Sequence, residues 1–202
     1  MSWIETFEGG RFDFDKPDES EINIKEIIVS LSRTARYNGH TAYMYTVGQH
    51  CVLMERALLR ERPNASALLR LHVLLHDAAE AYTGDMNRPL KYRKGMEEFR
   101  VIEDMVQSTI YKQLDIPQPT PEEYEIVKEY DDRMLRTEAE ALMCRVEDWR
   151  DVIQLRPLPV AVEPWIEFET TNAFTSSYLN ALKDYRSEQK EHEHNRREET
   201  IA

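Results

Sequence analysis

The chain opens with a short alternation of apolar and polar positions and then settles into helical spacing. Trp3-Ile4-Glu5-Thr6-Phe7 and Phe12-Asp13-Phe14 flank Gly9-Gly10, which predicts a small β-hairpin over residues 3–14. From Ser20 the apolar period becomes helical. Ile24, Ile27, Ile28 and Leu31 share one face of a first helix, with Ser20 as its expected N-cap. Tyr37-Asn38-Gly39-His40-Thr41 reads as a loop. Thr46 is placed to cap a second helix that runs to about Glu61, before Pro63. Asn64 is placed to cap a third, which Leu68, Leu71, Leu74 and Leu75 carry on to Gly84.

Arg88-Pro89-Leu90-Lys91 reads as a further loop, and a fourth helix fits residues 95–114, stopping before Pro117. Thr120-Pro121-Glu122-Glu123 combines a cap, a proline at the first helical position and a glutamate able to complete a capping box. That fifth helix is expected to reach about Trp149. Pro157, Pro159 and Pro164 mark an irregular stretch before a last helix over 171–186. Residues 187–200 hold no apolar side chain and predict a charged, disordered tail (187–202) outside a single domain over 1–186. The expected fold class is all-α: a helical bundle with a small N-terminal β-hairpin.

Composition narrows the partners. With 26 Lys+Arg against 38 Asp+Glu in 202 residues, the formal charge of −12 repels nucleic acid and anionic membranes. An anionic substrate then needs a local source of attraction, and a bound metal ion is the obvious one. The two cysteines, Cys51 and Cys144, read as buried thiols of a reducing compartment and not as a disulfide scaffold. Met1-Ser2-Trp3-Ile4-Glu5 lacks the basic start and apolar run of a signal peptide, and no stretch approaches the ~20 apolar residues of a membrane span. A soluble, cytoplasmic protein is expected.

The chemistry concentrates in Leu74-Leu75-His76-Asp77-Ala78-Ala79-Glu80-Ala81-Tyr82-Thr83-Gly84-Asp85. A helix this apolar should not carry His, Asp and Glu in its middle unless they are paired or bind a metal, because burying an unpaired charge is costly. His76 and Glu80 lie one turn apart on one face, with Asp77 about 100° around the helix. On the second helix His50 shares its face with Val47, Met54 and Ala57. On the fifth Asp131 shares a face with Tyr124, Val127, Leu135 and Leu142, while Asp132 falls with Arg136 toward solvent. A single inward His or Asp is ordinarily a hydrogen-bonded core residue. Two imidazoles and two carboxylates from three helices instead suit a divalent ion such as Co, Zn, Mn or Fe. His72 precedes His76 by four residues, but Val73-Leu74-Leu75 leave no glutamate in the zincin position, so it is set aside.

Those positions form a known pattern. His50…His76-Asp77…Asp131 resembles the H…HD…D signature of the HD-domain metal-dependent phosphohydrolases. Arg36-Tyr37-Asn38-Gly39-His40-Thr41, Val47-Gly48-Gln49-His50, Leu74 to Asp85 and Arg88-Pro89-Leu90-Lys91 are similar to the branch holding bacterial 5′-deoxynucleotidases and phage dATP triphosphohydrolases, in order over about residues 3–170. The resemblance implies an HD-domain bundle whose His50, His76, Asp77 and Asp131 hold one divalent ion, with additional Mg accompanying nucleotide phosphates. It implies general acid/base work for Glu80 and contact of Asp85 with a deoxyribose hydroxyl at the catalytic centre. It also implies substrate contacts from Arg36 and Tyr37, where relatives carry Trp in place of this tyrosine. Lys91 is a phosphate contact by charge, and His40 either touches phosphate or bonds within its loop. Arg33, Arg36, Arg88 and Lys91 would make the pocket locally positive. The reaction implied is hydrolysis of purine deoxynucleotide phosphates. The first expectation, from Gly39-His40-Thr41 and Arg-Pro-Leu-Lys, is a dATP (dNTP) triphosphohydrolase; the alternatives are a 5′-deoxynucleotidase acting on dNMPs and a noncatalytic nucleotide- or partner-binding helical module. A homo-oligomer is expected.

Overall fold

The computed structural model describes residues 2–201. Strand β1 (Trp3–Glu5) pairs antiparallel with β2 (Arg11–Asp13), Ile4 opposite Phe12, through a turn that Gly9 enters at φ +83°. Phe12 is fully buried and stacks on Tyr82 with centroids 4.1 Å apart, so the hairpin rests on the helices. Helix α1 (Ile24–Leu31) is capped by Asn23, whose side chain accepts from the Lys25 N–H. Ser20, the expected cap, lies instead in a 3-10 turn that Asp18 caps. The α1 residue Glu26 fastens the hairpin, accepting from Thr6 Oγ1 and the Glu8 N–H, both at 2.7 Å.

Helix α2 (Val47–Glu61) starts at the expected cap, Thr46, which accepts from Gln49 N–H. Helix α3 (Ala67–Leu75) is capped by Ser66 and not Asn64, and it stops well short of Gly84. Four turn residues separate it from α4 (Glu80–Thr83), which Gly84 ends at φ +77°. The expected loop at Arg88–Lys91 is a single helical turn, α5, with proline in its first turn. Helix α6 covers Glu97–Gln113. Helix α7 (Pro121–Leu142) carries the full capping box of Thr120 and Glu123. It ends before Trp149 because Met143 turns extended and Val146–Asp148 forms a 3-10 turn. Helix α8 begins at Glu167, earlier than expected, and continues through the charged segment to Ile201, where composition pointed to an unstructured tail.

Helix α3 is apolar nearly all round, the signature of a buried helix. Leu71, Leu74 and Leu75 join Phe12, Leu31, Ile110 and Phe174 in one core cluster, while Val73 and Leu69 join Met54, Leu58, Tyr130 and Met134 in another. Helices α2 and α8 pack against it. Gly48 permits a close approach of elements: a Cβ there would lie 3.1 Å from Thr170 Cγ2 and 3.2 Å from the Leu31 main chain. The fold is the expected all-α bundle with one hairpin. Cys51 is a buried free thiol, as expected, whereas Cys144 is exposed because the chain leaves the core after Leu142. Among the described residues no helix is long and apolar enough to cross a membrane.

Candidate active site

The site is built where α3 stops. A main-chain break inside a core leaves amide groups without helical partners, and buried orphans are costly. Gln107 of α6 spans the break: its Oε1 accepts from Ala79 N–H at 2.9 Å, and its Nε2 donates at 2.8 Å to Leu75 C=O, which also takes the Ala78 N–H at 3.0 Å. The His76-Asp77 turn between those two points is thereby held at the end of a buried helix. The His76 Nδ1–H donates to Val73 C=O at 2.8 Å, which fixes the tautomer because a carbonyl only accepts.

Around this turn α2 contributes His50 and α7 contributes Asp131. His50 Nε2 lies 3.3 Å from His76 Nε2, 3.4 Å from Asp131 Oδ1 and 3.7 Å from Asp77 Oδ2, and His76 Nε2 is 3.2 Å from that same Asp77 oxygen. The His50 Nδ1–H donates to Glu138 Oε1 at 2.6 Å. Both imidazoles thus spend their N–H groups on outward partners and turn Nε2 lone pairs toward each other and toward two carboxylates. Such a set is repulsive until a cation sits among it. Tetrahedral bonds of about 2.0–2.1 Å place neighbouring donors roughly 3.3 Å apart, the spacing found here, so the donor set fits a divalent transition ion. Burial opposes ionisation of Asp77 and Asp131, yet the two imidazoles hold both carboxyls well below the usual range. Burial likewise opposes a charged His76, but Asp77 and Cys51 together raise it well above the ordinary value, so without a metal ion a proton stands on Nε2 where the cation would sit. The cluster draws in positive charge. Cys51, His76 and Asp77 also lie close enough to share an ion. Burial, however, pushes the Cys51 thiol up, and the nearby His76 Nδ1 is already committed as a donor, so the mixed N/O set is the better one.

The remaining expected residues ring the cluster unevenly. Glu80 is buried, with Oε2 lacking a hydrogen-bond partner among the described residues. Burial first, then Asp77 and Asp85, raise its carboxyl well above the usual range. Asp85 accepts from Tyr37 N–H at 3.2 Å. Arg36 is buried and reaches Asp77 Oδ2 at 3.3 Å through Nη1. Arg88 bridges Asp131 and Asp132, so Asp132 is paired where the sequence suggested simple solvation. Lys91 pairs with Glu103 of α6, and Arg33 with Glu167 of α8 at 2.8 Å. His40 is exposed, and its main-chain N–H donates to Tyr37 C=O at 3.0 Å. His72 is a core histidine: its Nε2–H donates to Pro117 C=O at 2.9 Å and its ring lies edge-on to Tyr111.

Sequence reasoning missed Glu138 and Gln107. Glu138 lies seven residues after Asp131, two turns along the same face of α7, and that spacing was a legible signal. Gln107 had none, since its partners are main-chain atoms of another element.

A family model described as 5′-deoxynucleotidase YfbR-like matches residues 30–145. Uncharacterized protein YfdR of Escherichia coli (strain K12) is 34% identical over 126 residues, which cover 61% of this chain and 66% of that relative's own length. An uncharacterized protein of Rhodobacter capsulatus is 32% identical over 164 residues, covering 80% of this chain and 83% of the relative. The segment 30–145 holds each of the converging side chains, from Arg36 to Glu138.

Proposed function

The chain belongs to the YfbR-like 5′-deoxynucleotidase family of HD-type metal-dependent phosphohydrolases, and on that premise we propose that it removes the 5′-phosphate from deoxynucleoside monophosphates. The observation that carries this reading is the convergence of two Nε2 lone pairs and two carboxylates at 3.2–3.7 Å, with each Nδ1–H already committed elsewhere. His50, His76, Asp77 and Asp131 would hold a divalent ion, which would supply Lewis-acid polarisation of a phosphoryl oxygen and acidify water beside it. The protein's own groups do the rest. Water oxygen bonds to phosphorus while the bond from phosphorus to O5′ breaks, and the departing O5′ needs a proton. Glu80 holds one, because burial and the neighbouring carboxylates favour its neutral form, and the proton that the attacking water sheds returns to that carboxylate. Asp85, anchored by Tyr37 N–H, keeps an oxygen for a sugar hydroxyl.

The monophosphate is favoured over the triphosphate by charge. Arg33, Arg36, Arg88 and Lys91, the cations expected to line the pocket, each already face carboxylates. A triphosphate reaction at the α-phosphate must seat two further anionic phosphates, and none of these four is spare for them. The expected dATP triphosphohydrolase therefore draws less support than the alternative. Incubating cobalt-loaded protein separately with dAMP and dATP, and separating the phosphates by chromatography, tests the choice. Orthophosphate from dAMP is expected. Inorganic triphosphate from dATP with dAMP untouched would reverse the assignment, and silence toward both at full metal occupancy would favour the noncatalytic module.

A further inference from the structure

Glu138 is fully buried in α7, and its two oxygens serve different elements. Oε1 takes the His50 Nδ1–H, while Oε2 takes the Tyr37 hydroxyl and lies 3.4 Å from Arg36 Nε, an ion-pair distance. At its other end the same Arg36 reaches Asp77. The Arg36-Tyr37 dipeptide therefore grips the partner of one converging imidazole and, directly, one converging carboxylate. The loop carrying it is wound unusually: Tyr37 and Asn38 sit at φ 56° and 51°, a left-handed backbone that side chains other than glycine rarely adopt. Such a conformation persists where surrounding contacts over-determine it. Here the overdetermining contacts are Tyr37 N–H on Asp85 and Tyr37 hydroxyl on Glu138.

A carboxylate buried only to neutralise Arg36 would not need an imidazole and a phenol as well. Resting on the metal-binding reading above, we infer that Glu138 is a positioning residue through which the Arg36-Tyr37 loop and the metal cluster hold each other in place. Fixing His50 fixes the Glu138 carboxylate, which fixes the Tyr37 ring, and the chain works equally in reverse. Coupling between two sites is reciprocal, so the loop tightens metal binding as much as metal tightens the loop. Tyr37 suits this role because its ring carries a hydroxyl able to reach Glu138.

The test uses zinc alone, without nucleotide, on the full chain. Zinc affinity is measured by competition with a chromophoric chelator, and hydrogen exchange is followed in the segment holding Tyr37. Glu138→Gln should weaken zinc about 10- to 100-fold, the range seen when an outer partner of a ligating histidine is lost. Tyr37→Phe is the decisive variant, since the hydroxyl it removes touches none of the four converging atoms. It should still weaken zinc about threefold or more, a fraction of that range, and zinc should slow exchange of the Tyr37 segment in the wild type but not in this variant. Should Glu138→Gln not fold, Tyr37→Phe, at a half-buried position, decides alone. Wild-type zinc affinity and unaltered amide protection in Tyr37→Phe would overturn the coupling while leaving the metal site standing. A wild type that binds no zinc would overturn the metal site itself and the coupling with it.

Discussion

Asp77 shows how much one side chain carries in this site. Its Oδ2 lies 3.2 Å from His76, 3.7 Å from His50 and 3.3 Å from Arg36, so it meets both imidazoles and the Arg36-Tyr37 loop at one atom. Asp77→Ala should abolish metal content in elemental analysis, and turnover with it, because three remaining donors face each other with less charge to hold an ion. Glu80→Gln should behave oppositely. It keeps the metal at wild-type stoichiometry but loses turnover by about 10²–10⁴, the usual worth of a positioned acid or base. If Asp77→Ala retains full metal, the ligand assignment fails. These residues were legible in the sequence because each is polar where helical spacing demands an apolar side chain. Glu138 was overlooked although its spacing places it on the face of Asp131, because it sits in a helix rich in glutamates and is polar among polar neighbours such as the exposed Glu140.

At the scale of elements, what was legible was what local chemistry decides. Thr46 and Thr120 cap their helices as their side chains predict. The break between α3 and α4 was invisible, for Ala78-Ala79 are good helix formers and the apolar period runs on past them. The cause is tertiary: Gln107, on a helix distant in sequence, pairs the Ala79 N–H that the break exposes and adds a second donor to Leu75 C=O. Gln107→Ala should therefore cost about 1–3 kcal/mol for the Ala79 N–H left unpaired. In a chain of this size each kcal/mol is ~2–4 °C of thermal midpoint. Calorimetry should show that drop together with weaker zinc binding. A lowered midpoint with unchanged zinc affinity would mean that the break does not depend on Gln107 for its geometry.

For the whole molecule, ionic ties between helices shape the response to pH. Glu61, at the end of α2, accepts from both Arg133 terminal nitrogens at 2.8 and 2.7 Å and from the Tyr130 hydroxyl at 2.9 Å, tying α2 to α7. The Arg133 hydrogen bonds hold its carboxyl below the ordinary value of 4.5. A lowered folded value means that the tie stabilises fully above that ordinary value and fades as pH falls through the depressed one. Glu61→Gln should thus cost about 1 kcal/mol at neutral pH, discounted for partial exposure. That corresponds to ~2–4 °C in midpoint. The gap from wild type should close in acid, and a gap that persists at low pH would assign the effect to packing.

Gly48 has a consequence for where the protein tolerates change. The missing Cβ would press within 3.1–3.2 Å of both Thr170 and the Leu31 main chain, so α2 is seated between the end of α1 and the start of α8 with clearance for a hydrogen atom and no more. A methyl group introduced by Gly48→Ala is a wedge of a few tenths of an ångström, driven in two residues before His50. The tolerance of the cluster is of that same order. A position with no side chain to offer therefore limits the alignment of the site, and zinc affinity in that variant should fall even if the bundle stays folded.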